Sequence, residues 1–172
     1  MSRGSKTRAS DAEDICAITR TLAVLSDRWS FLILRDVFLG VSKFGEFRTS
    51  LGIASDVLSA RLATLVEFGV LEKVPYHEPG QRGRFAYQLT PAGQELKIVL
   101  GALQQWGDEH VPHSENPSVA RLARGSRHPL RVTFVDDRGN PVEHDDAEFV
   151  PTASYPKDAV IDQRPRPASP MA

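Results

Sequence analysis

The segment between residues 55 and 68 combines an apolar stripe with polar side chains that could bind an anionic ligand. Leu58, Leu62, Leu65 and Phe68 repeat at helical spacing, which predicts an amphipathic helix with one buried face. Hydroxyl and guanidinium groups on the opposite face could donate hydrogen bonds to phosphate oxygens or to the edges of nucleic-acid bases. The candidate residues for such contacts are Ser55, Asp56, Ser59, Arg61 and Thr64.

These side chains differ in what they can do. Ser59 and Thr64 can donate to a base or a phosphate, whereas the carboxylate of Asp56 can accept, for example from the amino group of cytosine. Arg61 flanks the apolar stripe and is the best candidate for a phosphate contact or a base contact. The alternative for Arg61 is a surface ion pair with a carboxylate such as Glu67 or Glu46.

A second cationic group lies in a predicted β-hairpin. Two strand-like runs, LEKVPY (71–76) and RFAYQLT (84–90), flank the polar segment HEPGQRG (77–83), which predicts an exposed tip. Glycines would let this tip approach a narrow minor groove, whose negative potential attracts Arg82 and Arg84. The alternative is a solvated turn that carries two charges.

Five helices and this hairpin are predicted to position the candidate residues within 12–111. The short turn between the third and fourth helices, followed by the hairpin, is the layout of a winged helix-turn-helix. Lys43 and Arg48, on the third helix, could contact the flanking phosphates. The first three predicted helices run from Ala12 to a break at Ser26 and Asp27, from Trp29 to Leu39, and from Lys43 to Leu51. The fourth runs from an N-cap at Ser55 to a stop at Gly69. The fifth begins at Pro91, and its apolar stripe consists of Leu96, Val99, Leu100, Leu103 and Trp106.

The overall charge gives no support to a nucleic-acid ligand. The 172 residues contain 21 Lys and Arg against 22 Asp and Glu, whereas domains that bind phosphate are usually basic. Between residues 43 and 90, six basic residues stand against five acidic ones, a net charge of +1. Because affinity for DNA scales with the phosphates neutralised, we expect a monomer to bind weakly and a homodimer to read a palindromic site. The first and fifth helices are the expected dimer interface.

Several classes of protein are not supported by the sequence. It contains no nucleophile elbow, P-loop, HExxH or GxGxxG motif, so we expect neither an enzyme nor a cofactor. A single cysteine excludes an intramolecular disulfide and a Cys-rich zinc site. His144 with the acidic residues at 145, 146 and 148 could resemble metal ligands, but a solvated acidic loop is favoured. Neither a membrane span nor a secretory signal is recognised, so we expect a cytoplasmic protein.

A series of short motifs resembles the HxlR-type branch of winged-helix transcriptional regulators, relatives of the MarR group. The resemblance covers Cys16 to His110 and implies a mainly α fold with a β-hairpin wing that binds double-stranded DNA as a homodimer. Two departures are Ala17, where the family usually has proline, and Asp56, where a basic or small residue is common. The matching residues are Cys16, Arg28-Trp29, Ile33-Leu34-Arg35, Phe44, Phe47-Arg48, Ile53, Leu58-Ser59, Arg61-Leu62, Leu65, Gly69-Val70-Leu71, Tyr87-Gln88-Leu89-Thr90, Gly93 and Trp106.

The resemblance also implies a regulatory role for Cys16, because a cysteine at this point senses oxidants or electrophiles in several relatives. A helix N-terminus favours the reactive thiolate, but a disulfide would need a thiol from another molecule. A small buried core residue is the commoner fate of a lone cysteine. A further possibility is an effector pocket between the first and fifth helices, lined by residues such as Trp29 and Trp106.

The last third of the chain predicts a small metal-free β extension. LRVTFV (130–135) and residues 141–150 could pair as strands about a turn at 136–140. The full prediction is a DNA-binding regulator, expected to be a homodimeric repressor that responds to a small molecule or a redox signal; the alternative is a winged-helix module that binds another protein. The expected divisions are a flexible tail (1–11), a winged helix-turn-helix DNA-binding and dimerisation domain (12–111), a linker (112–128), a small β-hairpin extension (129–150) and a disordered Pro-rich tail (151–172).

Overall fold

The computed structural model describes residues 16–25, 27–77, 83–111, 119–153 and 155. The predicted tail at 1–11, the start of the first predicted helix at 12–15, and the first part of the predicted linker at 112–118 lie outside the described residues. Of the predicted tail at 151–172, only residues 151–153 and 155 are described. No helix in these ranges is long and apolar enough to cross a membrane. The elements are α1 (Ala17–Val24), α2 (Arg28–Phe38), α3 (Phe44–Leu51), α4 (Ser55–Glu67), β1 (Leu71–Tyr76), β2 (Arg84–Leu89), α5 (Pro91–His110), β3 (Phe134–Val135), β4 (Pro141–Val142) and a 3₁₀ turn (His144–Asp146).

The winged helix-turn-helix fold predicted from the sequence is confirmed. α2 begins where expected because the Asp27 carboxylate accepts hydrogen bonds from the backbone N–H groups of Trp29 and Ser30, at 2.7 and 3.2 Å. Gly52, at φ +59°, ends α3, and Ile53 is buried in the turn that leads into α4. The predicted N-cap was wrong by one residue: Ala54 is the N-cap of α4, and Ser55 is its first helical residue.

The core lies among α2, α3, α4 and the start of β1. Ten hydrophobic side chains are buried there, and Leu58, Leu62 and Leu65 are fully inaccessible, as the apolar stripe predicted. Phe68, which was expected to continue that stripe, is instead partly exposed just after α4. The buried residues are Leu25, Ile33, Leu34, Phe47, Ile53, Leu58, Leu62, Leu65, Val70 and Leu71.

β1 and β2 form an antiparallel hairpin that is attached to α3 at its base. Leu71 pairs with Leu89 at one end, and Tyr76 pairs with Arg84 at the other. The backbone N–H of Tyr87 donates to the carbonyl of Ser42 at 2.8 Å, and Lys43 forms a β-bridge with Ala86. These contacts fix the direction of the wing relative to the N-terminus of α3.

The start of α5 packs closely against Val70, in the turn between α4 and β1. Thr90 caps α5 by accepting from the Gly93 N–H, and its own backbone N–H donates to the Val70 carbonyl. A Cβ added at Gly93 would lie 2.1 Å from the oxygen of Val70, so only glycine allows this approach. Leu96 and Leu100 pack on the core, whereas Val99, Leu103 and Trp106 of the predicted stripe are exposed in one chain.

The C-terminal extension docks on the second half of α5. The side-chain amide of Gln105 donates to the carbonyl of Val132 and accepts from its N–H, at 3.1 and 2.9 Å. Gln104 donates to the Val119 carbonyl, and Arg121 pairs with Asp108 at 3.1 Å. Residues 119–128, expected to be linker, are therefore tied to the domain.

The extension contains less strand than the sequence predicted. Instead of strands over 130–135 and 141–150, two two-residue strands pair through Phe134–Val142 and Val135–Pro141. The backbone of Val132 is held by Gln105 instead of by a second strand, which explains the short pairing. The turn at 136–140 forms as predicted, with the Asp136 carboxylate accepting from the Asn140 backbone at 2.8 Å.

Candidate nucleic-acid interface

The face of α4 opposite its apolar stripe is exposed and carries small or polar side chains. Ser55 and Asp56 lie in the first turn, and Ser59 follows one turn later. Ala60 and Ala63 leave space between them, so that a bulky ligand could approach the helix backbone. This arrangement fits the entry of a helix into a groove about as wide as the DNA major groove.

Arg61 forms an ion pair, as the alternative interpretation of the sequence expected, but its partner is Asp27 and not Glu67 or Glu46. Its Nε lies 2.9 Å from Oδ2 of Asp27, and its side chain is 33% exposed. The other carboxylate oxygen of Asp27 caps α2. One aspartate therefore links the start of α2 to the middle of α4, and its ion pair with Arg61 helps to hold α4 in place.

Thr64 does not lie on the exposed face, and this part of the sequence prediction was wrong. It is 4% exposed, and its hydroxyl donates to the Ala60 carbonyl at 3.1 Å. A threonine inside a helix commonly satisfies its hydroxyl in this way. The helical wheel placed Thr64 opposite the leucines, but it lies near the edge of the buried face. A direct contact from Thr64 to DNA is not compatible with this position.

The N-terminus of α3 brings Lys43 close to the wing. The Glu46 carboxylate accepts hydrogen bonds from the backbone N–H groups of Ser42 and Lys43, at 3.1 and 2.9 Å. These N–H groups hold the pKa of Glu46 below its ordinary value. The Lys43 ammonium lies 4.8 Å from the centre of the Tyr76 ring in β1. Lys43 therefore connects α3 with the end of β1 next to the tip of the wing, at the edge of the candidate interface.

The other candidate cations are exposed or lie outside the described residues. Arg48 is exposed in the last turn of α3, and Arg84 is exposed at the start of β2, beside the tip of the wing. Arg82 and the rest of the tip, residues 78–82, lie outside the described ranges. The site is thus α4 with Arg48 on one flanking element and Arg84 on another.

The candidate effector residues belong to three different helices. Cys16 is half-buried as the N-cap of α1, Trp29 is half-buried under the Arg28 guanidinium, and Trp106 is 58% exposed near the C-terminal end of α5. An open cleft of about 420 Å³ does lie between α1 and the start of α5, lined by residues that include Val24, Phe68, Val70, Ala92 and Leu96. The prediction that Trp29 and Trp106 line such a pocket was wrong.

Side chains of metal-binding type do not cluster in the described ranges. No group of three or more His, Cys, Asp or Glu residues is placed to hold an ion there. His144 and Asp145 are 3.2 Å apart, but both side chains are almost fully exposed.

The sequence patterns did not predict two features of the structure, one at α4 and one in the C-terminal extension. The Asp27–Arg61 pair joins residues 34 positions apart, and no local pattern indicates it. The second is the run of arginines at 121, 124, 127 and 131. A count of charges by segment would have found it, since the interval 119–131 contains no acidic residue.

Comparison with known proteins gives one family for this chain. The sequence model of the HxlR-like helix-turn-helix family matches residues 24–115. The uncharacterised HTH-type transcriptional regulator Rv3095 of Mycobacterium tuberculosis is 42% identical over 103 residues, which is 60% of this chain. The matched stretch covers 64% of the length of that relative.

Solved structures show the same architecture. PA1607, a candidate transcription factor, superposes with a TM-score of 0.71 at 37% identity and covers 82% of this chain and 98% of its own. PA1374 of Pseudomonas aeruginosa, described in the same way, gives a TM-score of 0.57 at 33% identity over 83% of this chain and 96% of its own. With the family match across the winged domain and the helix order described above, the chain belongs to the HxlR-like helix-turn-helix family.

Proposed function

We propose that the protein is a transcriptional regulator that binds double-stranded DNA through α4 and its wing. The observation that carries this proposal is the exposed face of α4, which presents Ser55, Asp56 and Ser59 beside the small side chains of Ala60 and Ala63. Beside it, the wing is attached to the N-terminus of α3 by the Tyr87–Ser42 hydrogen bond. Membership of the HxlR-like helix-turn-helix family supports the same role. Such a regulator acts on the chromosome, and a cytoplasmic location is part of the proposal.

The proposed contacts follow from these positions. Ser59 would donate to base edges or phosphates, and Asp56 would accept from a cytosine amino group. Arg48 and Arg84 would contact phosphates on either side of the groove that holds α4. Arg61 contributes by fixing α4 through Asp27 rather than as a primary phosphate ligand.

We further propose that the active form is a homodimer. The apolar side chains exposed on α1 and α5 include Ile18 and Leu22 on one helix and Ile98, Leu103 and Trp106 on the other. Ile18 is 67% exposed and Ile98 is 68% exposed in the single chain. A large exposed apolar surface on two neighbouring helices is typical of an interface between copies. Two copies would double the phosphate contacts and would read a palindromic operator.

The proposed sign of regulation is repression, with release by a small molecule or an oxidant. The cleft between α1 and α5 is the proposed effector site, because it lies between a helix of the dimer surface and the end of α4. Cys16 is the proposed redox position, since it precedes the first turn of α1 next to Ala17, which lines the cleft. Oxidant treatment should lower operator affinity in the wild type and not in Cys16→Ser.

The test of DNA binding is capture of genomic fragments by the purified full chain. We expect enrichment of a small set of promoter fragments by the wild type and loss of that enrichment in Ala60→Asp, because a carboxylate there faces the groove. Ala153→Asp, an exposed position in the extension, is the matched control and should retain the fragments. Enrichment of a protein with no DNA would instead support the alternative, a winged-helix module that binds another protein.

A further inference from the structure

The C-terminal extension separates its charges along the chain. Residues 119–131 contain four arginines and one histidine but no acidic residue. Residues 132–148 contain six acidic residues and only Arg138 as a cation. The near-neutral balance of the whole chain therefore conceals one basic and one acidic segment. We call residues 121–131 the basic turn.

The backbone of the basic turn is held in a defined conformation. Leu122 forms a β-bridge with Pro129, and the N–H of Leu130 donates to the Arg121 carbonyl at 2.8 Å. At the tip, the N–H of Arg127 donates to the Ala123 carbonyl at 2.9 Å. The N–H of Ala123 donates to the His128 carbonyl, also at 2.9 Å. The base is tied to α5 by the Arg121–Asp108 pair. The turn therefore projects its tip from a fixed base.

An arginine occupies the one position of this turn where glycine or asparagine would be easiest. Arg127 has φ +61°, and among the described residues other than glycine it alone has a positive φ. Long side chains rarely adopt this left-handed conformation, and such strain tends to occur at functional positions. Its side chain is exposed, so burial or packing does not explain the choice of arginine. The positive charge of Arg127 is therefore the property that a ligand could recognise.

The cations at the tip are available to a ligand. Arg124, Arg127 and Arg131 are exposed, and none of them forms an ion pair with any residue in the described part of the chain. Arg121, by contrast, is engaged with Asp108. Three arginines with five N–H donors each therefore face solvent on one short loop, and guanidinium is well suited to phosphate oxygens.

We propose that the basic turn is a second DNA contact, which binds the sugar-phosphate backbone beyond the groove occupied by α4. This inference rests on the proposed function and adds a region outside the winged domain to the binding surface. The winged segment 43–90 has a net charge of only +1, which is a weak source of counterion release. Each basic turn adds three free arginines per protomer. Gln105, which anchors the extension, lies about 18 Å along α5 from Gly93, so the turn would reach different phosphates from those near the wing.

The experiment measures binding of the full chain to a mixed-sequence duplex and to a captured promoter fragment, by fluorescence anisotropy between about 50 and 200 mM salt. The test protein combines Arg124→Gln, Arg127→Asn and Arg131→Gln. Asparagine tolerates the left-handed backbone at position 127, so this protein should keep its fold and its melting temperature. The plot of log affinity against log salt should lose about 0.9 of slope for each phosphate contact removed, and so up to about 3 per protomer.

Two single variants separate charge from conformation. Arg127→Lys keeps the cation and the strained backbone and should retain most of the affinity, whereas Arg127→Asn should lower the affinity and reduce the salt slope by about 0.9 per protomer. Arg138→Gln removes one charge from the acidic segment and is the matched control for a change in net charge. The loss should be equal on the mixed-sequence duplex and on the promoter fragment, because phosphate contacts carry no sequence information.

The outcomes distinguish this inference from the proposed function. If the wild type binds the promoter fragment and the triple variant has the same salt slope, the basic turn has no role in DNA binding, although the function of α4 stands. If the wild type binds neither duplex, both proposals fail. If the triple variant changes the monomer–dimer equilibrium and not the salt slope, the turn contacts the acidic segment of a second copy, which also rejects the inference.

Discussion

The winged domain and the C-terminal extension are held together by different forces. In the part of the chain that the structure describes, all ten buried hydrophobic residues lie between Leu25 and Leu71, while no residue between 119 and 153 is buried. The extension is instead attached through side chains of α5, chiefly Gln105 to the backbone of Val132 and Asp108 to Arg121. Apolar burial supplies most of the free energy of folding, and hydrogen bonds contribute modestly. The extension is therefore ordered by the domain and does not stabilise it to a comparable extent.

The strongest test of this difference is the same truncation made in both regions. Leu62→Ala removes a fully buried side chain and should lower the free energy of unfolding by about 2–5 kcal/mol. Leu130→Ala, in the extension, should change it by no more than about 0.5 kcal/mol, because that side chain is half exposed. Urea denaturation measures both values. Equal losses would show that the extension carries a core of its own.

The next largest effect is expected at Asp27, which serves two elements of the winged domain. Asp27→Ala removes the N-cap of α2 and the partner of Arg61, and should lower the free energy of unfolding by about 1–2 kcal/mol. Asp27→Asn keeps a capping oxygen but loses the charge, so its loss should be below about 1 kcal/mol. A double-mutant cycle with Arg61→Ala isolates the ion pair. A coupling energy of zero would show that the ion pair between Asp27 and Arg61 does not contribute to stability.

A smaller, local effect is expected where the two regions meet. Gln105→Ala removes both hydrogen bonds to Val132 and should release the extension while the winged domain stays folded. Amide exchange at Val132 should then accelerate about tenfold or more, with little change in the urea midpoint. Gln94→Ala, at an exposed position in the first half of α5, is the control. Unchanged exchange in Gln105→Ala would show that other contacts hold the extension.

The smallest effect is the pH dependence caused by Glu46. Because its pKa is held below the ordinary value of 4.5 in the folded protein, the charged carboxylate stabilises the fold above that value. This contribution is lost as the pH falls through the folded pKa. The melting temperature of the wild type should therefore drop more between neutral and acidic pH than that of Glu46→Gln. Glu95→Gln, exposed on α5, should follow the wild type.

The sequence predicted the winged domain well because local patterns and burial agree there. The leucines at 58, 62 and 65 and the turn residues at Gly52 and Gly69 specified the helices and their ends within a residue or two. It failed at Thr64 because the edge of a buried face depends on how neighbouring helices pack. In the extension the short strands could not be predicted, since Gln105 of a distant helix binds the backbone that a strand would have paired. The Asp27–Arg61 pair was missed because it too joins residues that are distant in the sequence.

The contact of Gly93 with Val70 ties the start of α5 to the turn that follows α4. With a Cβ excluded there and Thr90 bonded to the Val70 carbonyl, the start of α5 has little room to slide or tilt against the end of α4. If α5 were to rotate about this contact, Val70 and the turn that follows α4 would have to move with it. In the proposed homodimer, joined through α5, the contact between Gly93 and Val70 would thus help to set the spacing between the two copies of α4.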